Sequence, residues 1–534
     1  MNWKKGMALL LIIALSGFLA AGCGSSAGTK EQALRIEVGG EPESLDPAKV
    51  TGVPESNYQL ALFEGLTALN DKDMPVPAAA EKWEISPDGL KYIFHIRPNA
   101  KWSNGDPVTA QDFEFAWKRL LNPATAAQYA YMLYPIKNAE AYNNNKATAD
   151  QVGVKALDDK TLEVTLEKPT AYFLAVVAHN STYPVDKKVV EADGDNWANN
   201  VKTFVGNGPF KLVNWVHNSK LEMVKNDQYW DKDKVKLNKL EWDLVEVTTT
   251  GLSMFENNQL DFMWDPPMTE VPRLQKEGKF KLGKYLGTYY YEFNNRKAPF
   301  DNPKVRKAFA LAIDRNAITK DILKGTATPA TAWIPPGFTD PLTDKDFREE
   351  QGALFQTDVA QAKKLLAEAG YPDGQGLPPI TLIYNTNDNN KAIAEAVQEM
   401  WRKNLGVTVT IQNQEWKVFL ENRRAGNFQV ARAGWIGDYT DPMTFGDYFL
   451  SYGGNNWGKY DNPAYDKLIE AAQVSNDQKL RMQNMHEAEK ILIDDMGVAP
   501  IYFYNYNYCV KPYVKGLVLS ATGRVNVKEA YIQK

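Results

Sequence analysis

Cysteine and histidine are scarce in this sequence, and the two shortages exclude much chemistry. Only Cys23 and Cys509 occur in 534 residues, so neither a disulfide framework nor a cysteine metal cluster can organise the chain. The four histidines are His95, His179, His217 and His486. None is spaced with another histidine, cysteine or carboxylate as a zinc site needs, and His486-Glu487 has no second histidine four residues on. There is no nucleophile elbow, no phosphate-binding loop ending in Lys-Ser/Thr and no Gly-x-Gly-x-x-Gly fingerprint. Adjacent acids such as Asp158-Asp159 and Asp494-Asp495 suit turns and helix ends better than a catalytic dyad. An enzyme is therefore the weaker class, and no metal or cofactor is expected. A basic block is missing as well, which makes nucleic acid and anionic membrane surfaces poor partners. Internal repeats and low-complexity segments are not seen after Lys30.

Long apolar runs are also missing, with one exception at the N-terminus. Lys4 and Lys5 precede an apolar stretch from Met7 to Ala21, interrupted only by Ser16 and Gly17. It is short for a membrane span but suits a secretory signal. Leu19-Ala20-Ala21-Gly22-Cys23 closes it and resembles a bacterial lipoprotein signal, with Ala20 where leucine is commoner. That resemblance implies cleavage before Cys23, lipid on its sulfur and a signal peptide over 1–22. Residues 23–30 then form a flexible tether, and two or more acyl chains would anchor the body stably. The expected location is the extracytoplasmic face of a cell membrane (the periplasmic side where an outer membrane exists). The mature chain would hold about 512 residues, enough for two or three domains. Its formal charge would be -7, since losing Lys4 and Lys5 deepens the full chain's -5.

With no disulfides, stability must come from burial, and 14 Trp, 26 Tyr and 22 Phe supply it generously. Rigid rings of this number also suit the lining of a concave site. Trp83-Glu84-Ile85 and Tyr92, Phe94, Ile96 alternate as strands about a Pro87-Asp88-Gly89 turn. Thr109 to Asp112 caps a helix that carries Phe113, Ala116, Trp117 and Leu120 on one stripe. Leu162-Val164-Leu166 reads as a strand ending at Pro169, and Phe210 to Trp242 mixes strands with turns. After about residue 300, helix and strand alternate. Asn302-Pro303 opens a helix with Val305, Phe309 and Ala312 inward. Thr357 caps another, with Val359, Ala362, Leu366 and Ala369 on its stripe, stopped by Gly370 and Pro372. Ile380-Leu382-Tyr384, Val407-Val409-Ile411 and Phe428-Val430 are strands between helices around Ile393-Val397-Met400 and Trp416, Phe419, Leu420. This order predicts at least two lobes, one mixed and one α/β with a largely parallel sheet whose ligand sits beyond the strand carboxyl ends.

The segment from Arg423 to Phe449, RRAGNFQVARAGWIGDYTDPMTFGDYF, carries the binding chemistry. Arg432 lies among Val430, Ala431, Ala433 and Gly434, and a guanidinium buried without a partner is costly. It must meet a carboxylate of the protein or of a ligand. Asp438 follows Gly434-Trp435-Ile436-Gly437 at the strand end, and both glycines permit close backbone approach. Two opposite charges six residues apart could hold the two ends of a short zwitterionic peptide. An internal Arg–Asp pair, with Asp438 or Asp441 capping the turn before Pro442, explains the same residues equally well.

This segment resembles the oligopeptide-binding members of the peptide and nickel extracellular solute-binding lipoproteins (family 5) that serve ABC importers. Further matching stretches are Gly52-Val53-Pro54-Glu55-Ser56-Asn57, Phe63-Glu64-Gly65-Leu66, and Asn99-Ala100-Lys101-Trp102-Ser103 with Gly105. Gly153-Val154-Lys155-Ala156-Leu157-Asp158-Asp159, Tyr289-Tyr290-Tyr291-Glu292 and Asn413-Gln414-Glu415-Trp416 match too. The resemblance covers nearly the whole mature chain. It implies an α/β, periplasmic-binding-protein-like fold of type II, a three-lobed flytrap with mixed and largely parallel sheets. Binding lobe I would comprise 31–63, 189–286 and 506–534, an extra lobe 64–188, and binding lobe II 287–505.

By the same resemblance, Asp438 would pair with a peptide's α-ammonium, and Arg432 and Arg423 would receive its carboxylate at different lengths. Tyr129, Tyr290, Trp416 and Trp435 would line the cavity, and Thr51, Gly52 and Val53 would form a strand pairing with the peptide backbone. Gly434, Ile436 and Asn385 complete the implied peptide-binding set, and no residue is assigned to catalysis or metal. Three departures from the family pattern stand out. Asn390 replaces a histidine used by longer ligands, while Gly287 and Ile436 replace a cysteine pair. Partners would be short peptides, the permease subunits of an ABC importer and the membrane through the N-terminal lipid. A surface peptide hydrolase using scattered carboxylates, and nickel or haem capture within the same family, are the competing readings.

Overall fold

The computed structural model describes residues 32–170, 172–340, 343–475 and 477–533. The expected signal, Cys23 and the tether lie outside these residues. Among the described residues, no helix is long and apolar enough to cross a membrane.

Three sheets of four or more strands organise the described residues. The largest has seven strands, drawn from widely separated segments: Ala33–Glu37, Phe210–Val216, Lys220–Lys225, Lys239–Asp243, Phe262–Trp264, Phe280–Gly283 and Tyr506–Val510. Ala33–Glu37 runs parallel to both Lys239–Asp243 and Phe262–Trp264. Three carboxyl ends therefore point the same way at the sheet centre, where ligands of parallel sheets gather. Leu34, Ile36, Leu240, Trp242 and Phe262 are fully buried in this sheet.

A four-stranded antiparallel sheet is built from Ala80–Ile85, Lys91–Ile96, Val154–Ala156 and Thr161–Thr165. The helix Ala110–Leu121 belongs with it and starts where expected, with a capping box between Thr109 and Asp112. Phe113, Ala116, Trp117 and Leu120 are buried as one stripe. Each large apolar side chain so buried contributes about 1.5–3 kcal/mol. The Trp117 indole N–H is satisfied by the Thr182 carbonyl at 2.8 Å.

The third sheet has six strands in the order Thr328–Pro329, Val498–Phe503, Gly287–Phe293, Val430–Ile436, Ile380–Asn385 and Val409–Gln414. The helix–strand alternation after residue 300 predicted a largely parallel sheet, but this one is mixed. Ile380–Asn385 is parallel to both of its neighbours, and the other three pairings are antiparallel. The difference arises because Gly287–Phe293, which follows directly from the seven-stranded sheet, and Val498–Phe503, which leads directly back into it, are paired antiparallel between Thr328–Pro329 and Val430–Ile436. Asn302 caps the helix Pro303–Leu311 as expected, but Asp358 rather than Thr357 caps Val359–Glu368. The Thr357 hydroxyl donates instead to the Ile313 carbonyl at 2.7 Å.

The chain passes directly between the seven- and six-stranded sheets at two places. One lies between Phe280–Gly283 and Gly287–Phe293, the other between Val498–Phe503 and Tyr506–Val510. Between them the seven- and six-stranded sheets, with Tyr129 and His179 from the segment that carries the four-stranded sheet, surround a cavity.

Candidate ligand-binding cavity

The strand Val430–Ile436 forms one wall of this cavity. Along one edge it pairs with Gly287–Phe293 over its whole length. Along the other it meets Ile380–Asn385 only through Val430 and Ala431. From Arg432 to Ile436 that second edge carries no neighbouring strand among the described residues. An open strand edge inside a cavity is a template for another extended backbone. Strand alternation turns Arg432, Gly434 and Ile436 to one side, and all three line the cavity, as does Trp435.

Arg432 has no carboxylate partner within ion-pair distance among the described residues. One Nη donates to Asn385 Oδ1 at 3.3 Å and the other to the Tyr504 hydroxyl at 2.8 Å, while Nε has no acceptor. The guanidinium lies over the Tyr289 ring, 4.7 Å from its centroid. Of five N–H donors, only two are engaged. Gly434 is explained by Tyr504, because a Cβ there would stand 2.6 Å from the Tyr504 hydroxyl oxygen. The expectation that Gly434 makes way for a ligand backbone is thus corrected in part. It makes way for the tyrosine that holds Arg432.

Asp438 is 7% exposed, and its two carboxylate oxygens differ. Oδ1 accepts from the Tyr129 hydroxyl at 3.1 Å and faces His179 Nε2 at 3.2 Å. Oδ2 is buried and accepts nothing from the protein. The Asp438 amide donates to Thr444 Oγ at 2.9 Å, which fixes the backbone. His179 Nδ1 receives the Ser181 amide at 3.3 Å, so the ring proton belongs on Nε2, facing Asp438. Burial lowers the pKa of His179, with the Asp438 charge opposing, so the ring is neutral. Arg524 donates to the Asp438 carbonyl at 3.3 Å and does not reach its carboxylate. The turn before Pro442 is capped by Asp441, whose Oδ1 receives the Met443 amide at 2.9 Å and Arg481. Asp438 is left for the cavity.

Arg423 departs from its expected role. Its Nε and Nη2 both donate to Glu292 Oε2, at 3.0 and 2.9 Å, and the pair is buried. Glu292 Oε1 takes the Gly458 amide at 2.9 Å. The charge of Arg423 is therefore matched inside the protein, although its side chain reaches the cavity wall. Tyr290 is corrected too. Its strand register places it opposite Ala433, away from the Arg432 side, and it is fully buried. Its hydroxyl bonds Tyr448 at 2.6 Å, and Tyr448 rather than Tyr290 lines the cavity.

Thr51, Gly52 and Val53 line the opposite wall, but they do not form a strand. Gly52 is extended and caps the helix Val53–Leu62, whose Pro54 sits where a missing N–H is harmless. Trp416 closes the mouth against this wall. Its indole N–H donates to Glu55 Oε1 and its amide to Glu246 Oε1, each at 3.2 Å. Arg424 reaches Glu43 at 3.1 Å, Thr248 reaches Asp388 at 3.0 Å, and Asn387 reaches Asp265 at 3.2 Å. All these bonds join the elements of the six-stranded sheet to those of the seven-stranded sheet across the cavity. Asn385 and Asn390 line it together, bonded at 3.1 Å. Gly287 and Ile436 are direct cross-strand partners.

Sequence reasoning missed His179, Tyr504, Arg524 and Glu292. The spacing of His179 fits no metal site and so gives it no role by sequence. Its sequence neighbours, Ala178 and Asn180, carry no hint of a carboxylate more than two hundred residues away.

Known proteins share this architecture. Residues 74–457 match the family model of bacterial extracellular solute-binding proteins, family 5 Middle. The dipeptide-binding protein DppE of Bacillus subtilis is 41% identical over 540 residues, covering 99% of this chain and 98% of DppE. The crystal structure of Haemophilus influenzae OppA complexed with RPPGFSPFR superposes with a TM-score of 0.88 at 39% identity, covering 95% and 99% of the two chains. The unliganded open form of the periplasmic murein tripeptide-binding protein MppA gives 0.62 at 38% identity, covering 94% and 98%. The bonds that join the six- and seven-stranded sheets across the cavity agree with this lower likeness to an open form. The chain belongs to the bacterial extracellular solute-binding proteins of family 5.

Proposed function

We propose that the cavity binds short peptides by their two free ends and that the chain is the receptor of an ABC peptide importer. One observation carries the reading. The same strand and its following turn present a carboxylate oxygen with no protein donor, Asp438 Oδ2, and a guanidinium with no protein carboxylate, Arg432. Each is an unmatched charge in a closed cavity, and a zwitterion matches both. They are six residues apart, at most about 20 Å along an extended chain. After the reach of the arginine side chain, this suits a ligand of about three to five residues. The open edge from Arg432 to Ile436 would hydrogen-bond the ligand's main chain without regard to sequence. Trp435, Trp416, Tyr129, Thr51, Gly52, Val53, Ile436 and Asn385 would surround it. Arg423 would act through Glu292 and the wall rather than as a free cation, and Tyr290 through Tyr448.

The names and titles of the relatives, which are peptide-binding proteins, support the cargo and the absence of catalysis. The lobes would be bounded as the resemblance implies, at 31–63 with 189–286 and 506–534, at 64–188, and at 287–505. Each set contains all the strands of one of the three larger sheets. Cys23 would carry the lipid that holds the receptor outside the cell membrane beside its permease. Calorimetry with a free tripeptide, its N-acetylated form and its C-amidated form tests the reading. Each blocked end should weaken binding by roughly 10- to 100-fold. Asp438→Asn should erase the penalty for acetylation. Equal affinity for all three forms would sink the two-ended reading, and recovery of cleaved peptide after long incubation would favour a hydrolase.

A further inference from the structure

The cavity is not balanced in charge. Glu37, Glu246, Asp265 and Asp438 line it, against Arg423, Arg432 and Arg524. Arg423 is already matched by Glu292, so four acids face two available bases. A zwitterionic peptide adds one charge of each sign and leaves this excess untouched.

The excess has a location. Glu37 ends the strand Ala33–Glu37, and its register partner is Met263 on the parallel neighbour. Asp265 follows that neighbour's last residue, Trp264, so the two acids emerge side by side at adjacent parallel carboxyl ends. Among the described residues, neither has a lysine, arginine or histidine within ion-pair distance. Asn387 from the opposite lobe donates to Asp265 at 3.2 Å, which keeps that carboxylate at the closed interface.

Two further groups point to a ligand independently of these acids. Asn507 lines the cavity next in line, its carbonyl receiving the Asp265 amide at 2.8 Å. Its side-chain Oδ1 is buried and accepts no hydrogen bond, although the residue is only 9% exposed. The Tyr285 hydroxyl, in a lining residue 5% exposed, is likewise without a partner. Trp264 supplies an aromatic wall. Two carboxylates, an amide oxygen and a phenol accept several N–H bonds and offer few. Burial, with the Asp265 charge adding to it, drives the Glu37 pKa well up, as expected of a carboxylate that waits for a cation.

We propose that Glu37, Asp265 and Asn507 form a subsite for the cationic head of a basic side chain, making the receptor selective for peptides that contain lysine or arginine. This rests on the peptide reading above and adds the class of peptide. Preference would come from the rejected alternative as much as from the pair itself, because an apolar side chain would leave Glu37 to bury a proton and the Asn507 oxygen without a donor, whereas a cationic head serves both.

The test is a lysine scan through tri-, tetra- and pentapeptides, each paired with its norleucine counterpart of equal length and nearly equal shape. At one position lysine should bind roughly 10- to 100-fold more tightly than norleucine. In Glu37→Gln and Asp265→Asn that ratio should fall toward one, whereas Glu37→Asp, which keeps the charge, should retain much of it. If norleucine and lysine peptides bind equally well at every position, the subsite is wrong while the peptide reading stands. A ratio that survives both charge-removing variants also overturns it. Failure of every peptide to bind the wild-type chain would instead refute the peptide reading.

Discussion

Closure of the two lobes should draw protons from solution, and Glu55 and Glu246 are the groups that take them. Both accept a hydrogen bond from Trp416 across the mouth. Burial, then the charge of Glu43, pushes the Glu55 carboxyl up to about 7. Burial pushes Glu246 up to about 7, with Glu415 facing it from the other lobe. An ordinary glutamate titrates at 4.5. Arg424 and Lys417 are the nearby cations of the facing helix, and Arg424 is occupied by Glu43. A carboxyl whose pKa is raised in the closed state binds its proton more tightly there, so protonation favours closing. The contribution is complete below the open-state value and is lost as the pH rises through about 7.

Moving from pH 8 to pH 6, each such group would add about 1.3 kcal/mol to closure if opening restored it fully to water. Glu246 is partly exposed, and Glu55 also receives the Glu43 amide at 3.2 Å from its own side of the mouth, so half that figure is taken for each. The sum, about 1.3 kcal/mol, is close to a tenfold gain in peptide affinity. The assay is calorimetry with a tripeptide lacking ionisable side chains, run at several pH values in buffers of different ionisation enthalpy. Roughly half to one proton should be taken up per peptide bound near pH 7. The double variant Glu55→Gln, Glu246→Gln mimics the protonated pair and should flatten the profile. It retains only the titration of the ligand's own amine, which starts near pH 8. Proton release on binding, or an unchanged profile in the double variant, would refute the reasoning.

Two other outcomes follow from single contacts. His179 acts as a positioning residue for Asp438, so His179→Ala should weaken binding of a free-ended tripeptide about tenfold and leave an N-acetylated peptide little affected, while His179→Gln, whose amide still donates, should recover most of the loss. Glu489 is buried and bidentate to Arg348 at 2.9 and 2.7 Å, and it also receives the amides of Trp333 and Ile334. Glu489→Ala should therefore cost about 3–5 kcal/mol in denaturant unfolding by stranding the arginine and both amides, and an effect below 1 kcal/mol would contradict that account.

What could be read from the sequence divides along a physical line. Local rules work where the chain contacts itself locally. Thr109 and Asp112 close their capping box within four residues, and Asn302-Pro303 starts its helix by the same short-range chemistry. Arg432 and Asp438 stand out because both lie on one strand and its turn, where a charge among small apolar residues has no cheap alternative, but residue types alone leave a ligand pair and an internal ion pair equally good. Long-range pairing is invisible to such rules. Nothing near Arg423 announces Glu292, so its charge looked free, and nothing near His179 announces Asp438. Helix–strand alternation predicts a parallel sheet, but it cannot report that two strands joined to the other sheet are inserted antiparallel. Strand order depends on which distant segments pair, not on the order of elements along the chain.

The segments that join the two sheets would couple a hinge there to the ligand site. Tyr285 and Tyr504 lie in the two short segments that join the seven- and six-stranded sheets, and their rings are 5.5 Å apart between centroids. Hinges absorb domain motion in a few residues at element ends, and here such residues reach the cavity. Tyr504 accepts from Arg432 and fills the space that Gly434 leaves by having no Cβ. A ligand carboxylate on Arg432 would therefore act directly on a tyrosine of these joining segments, while an ammonium on Asp438 would act on Tyr129 and His179 from the neighbourhood of the four-stranded sheet. Each end of a peptide would touch a different pair of lobes. A ligand with only one end would secure only one of those junctions, so the arrangement favours closing on molecules that carry both charges at the right separation.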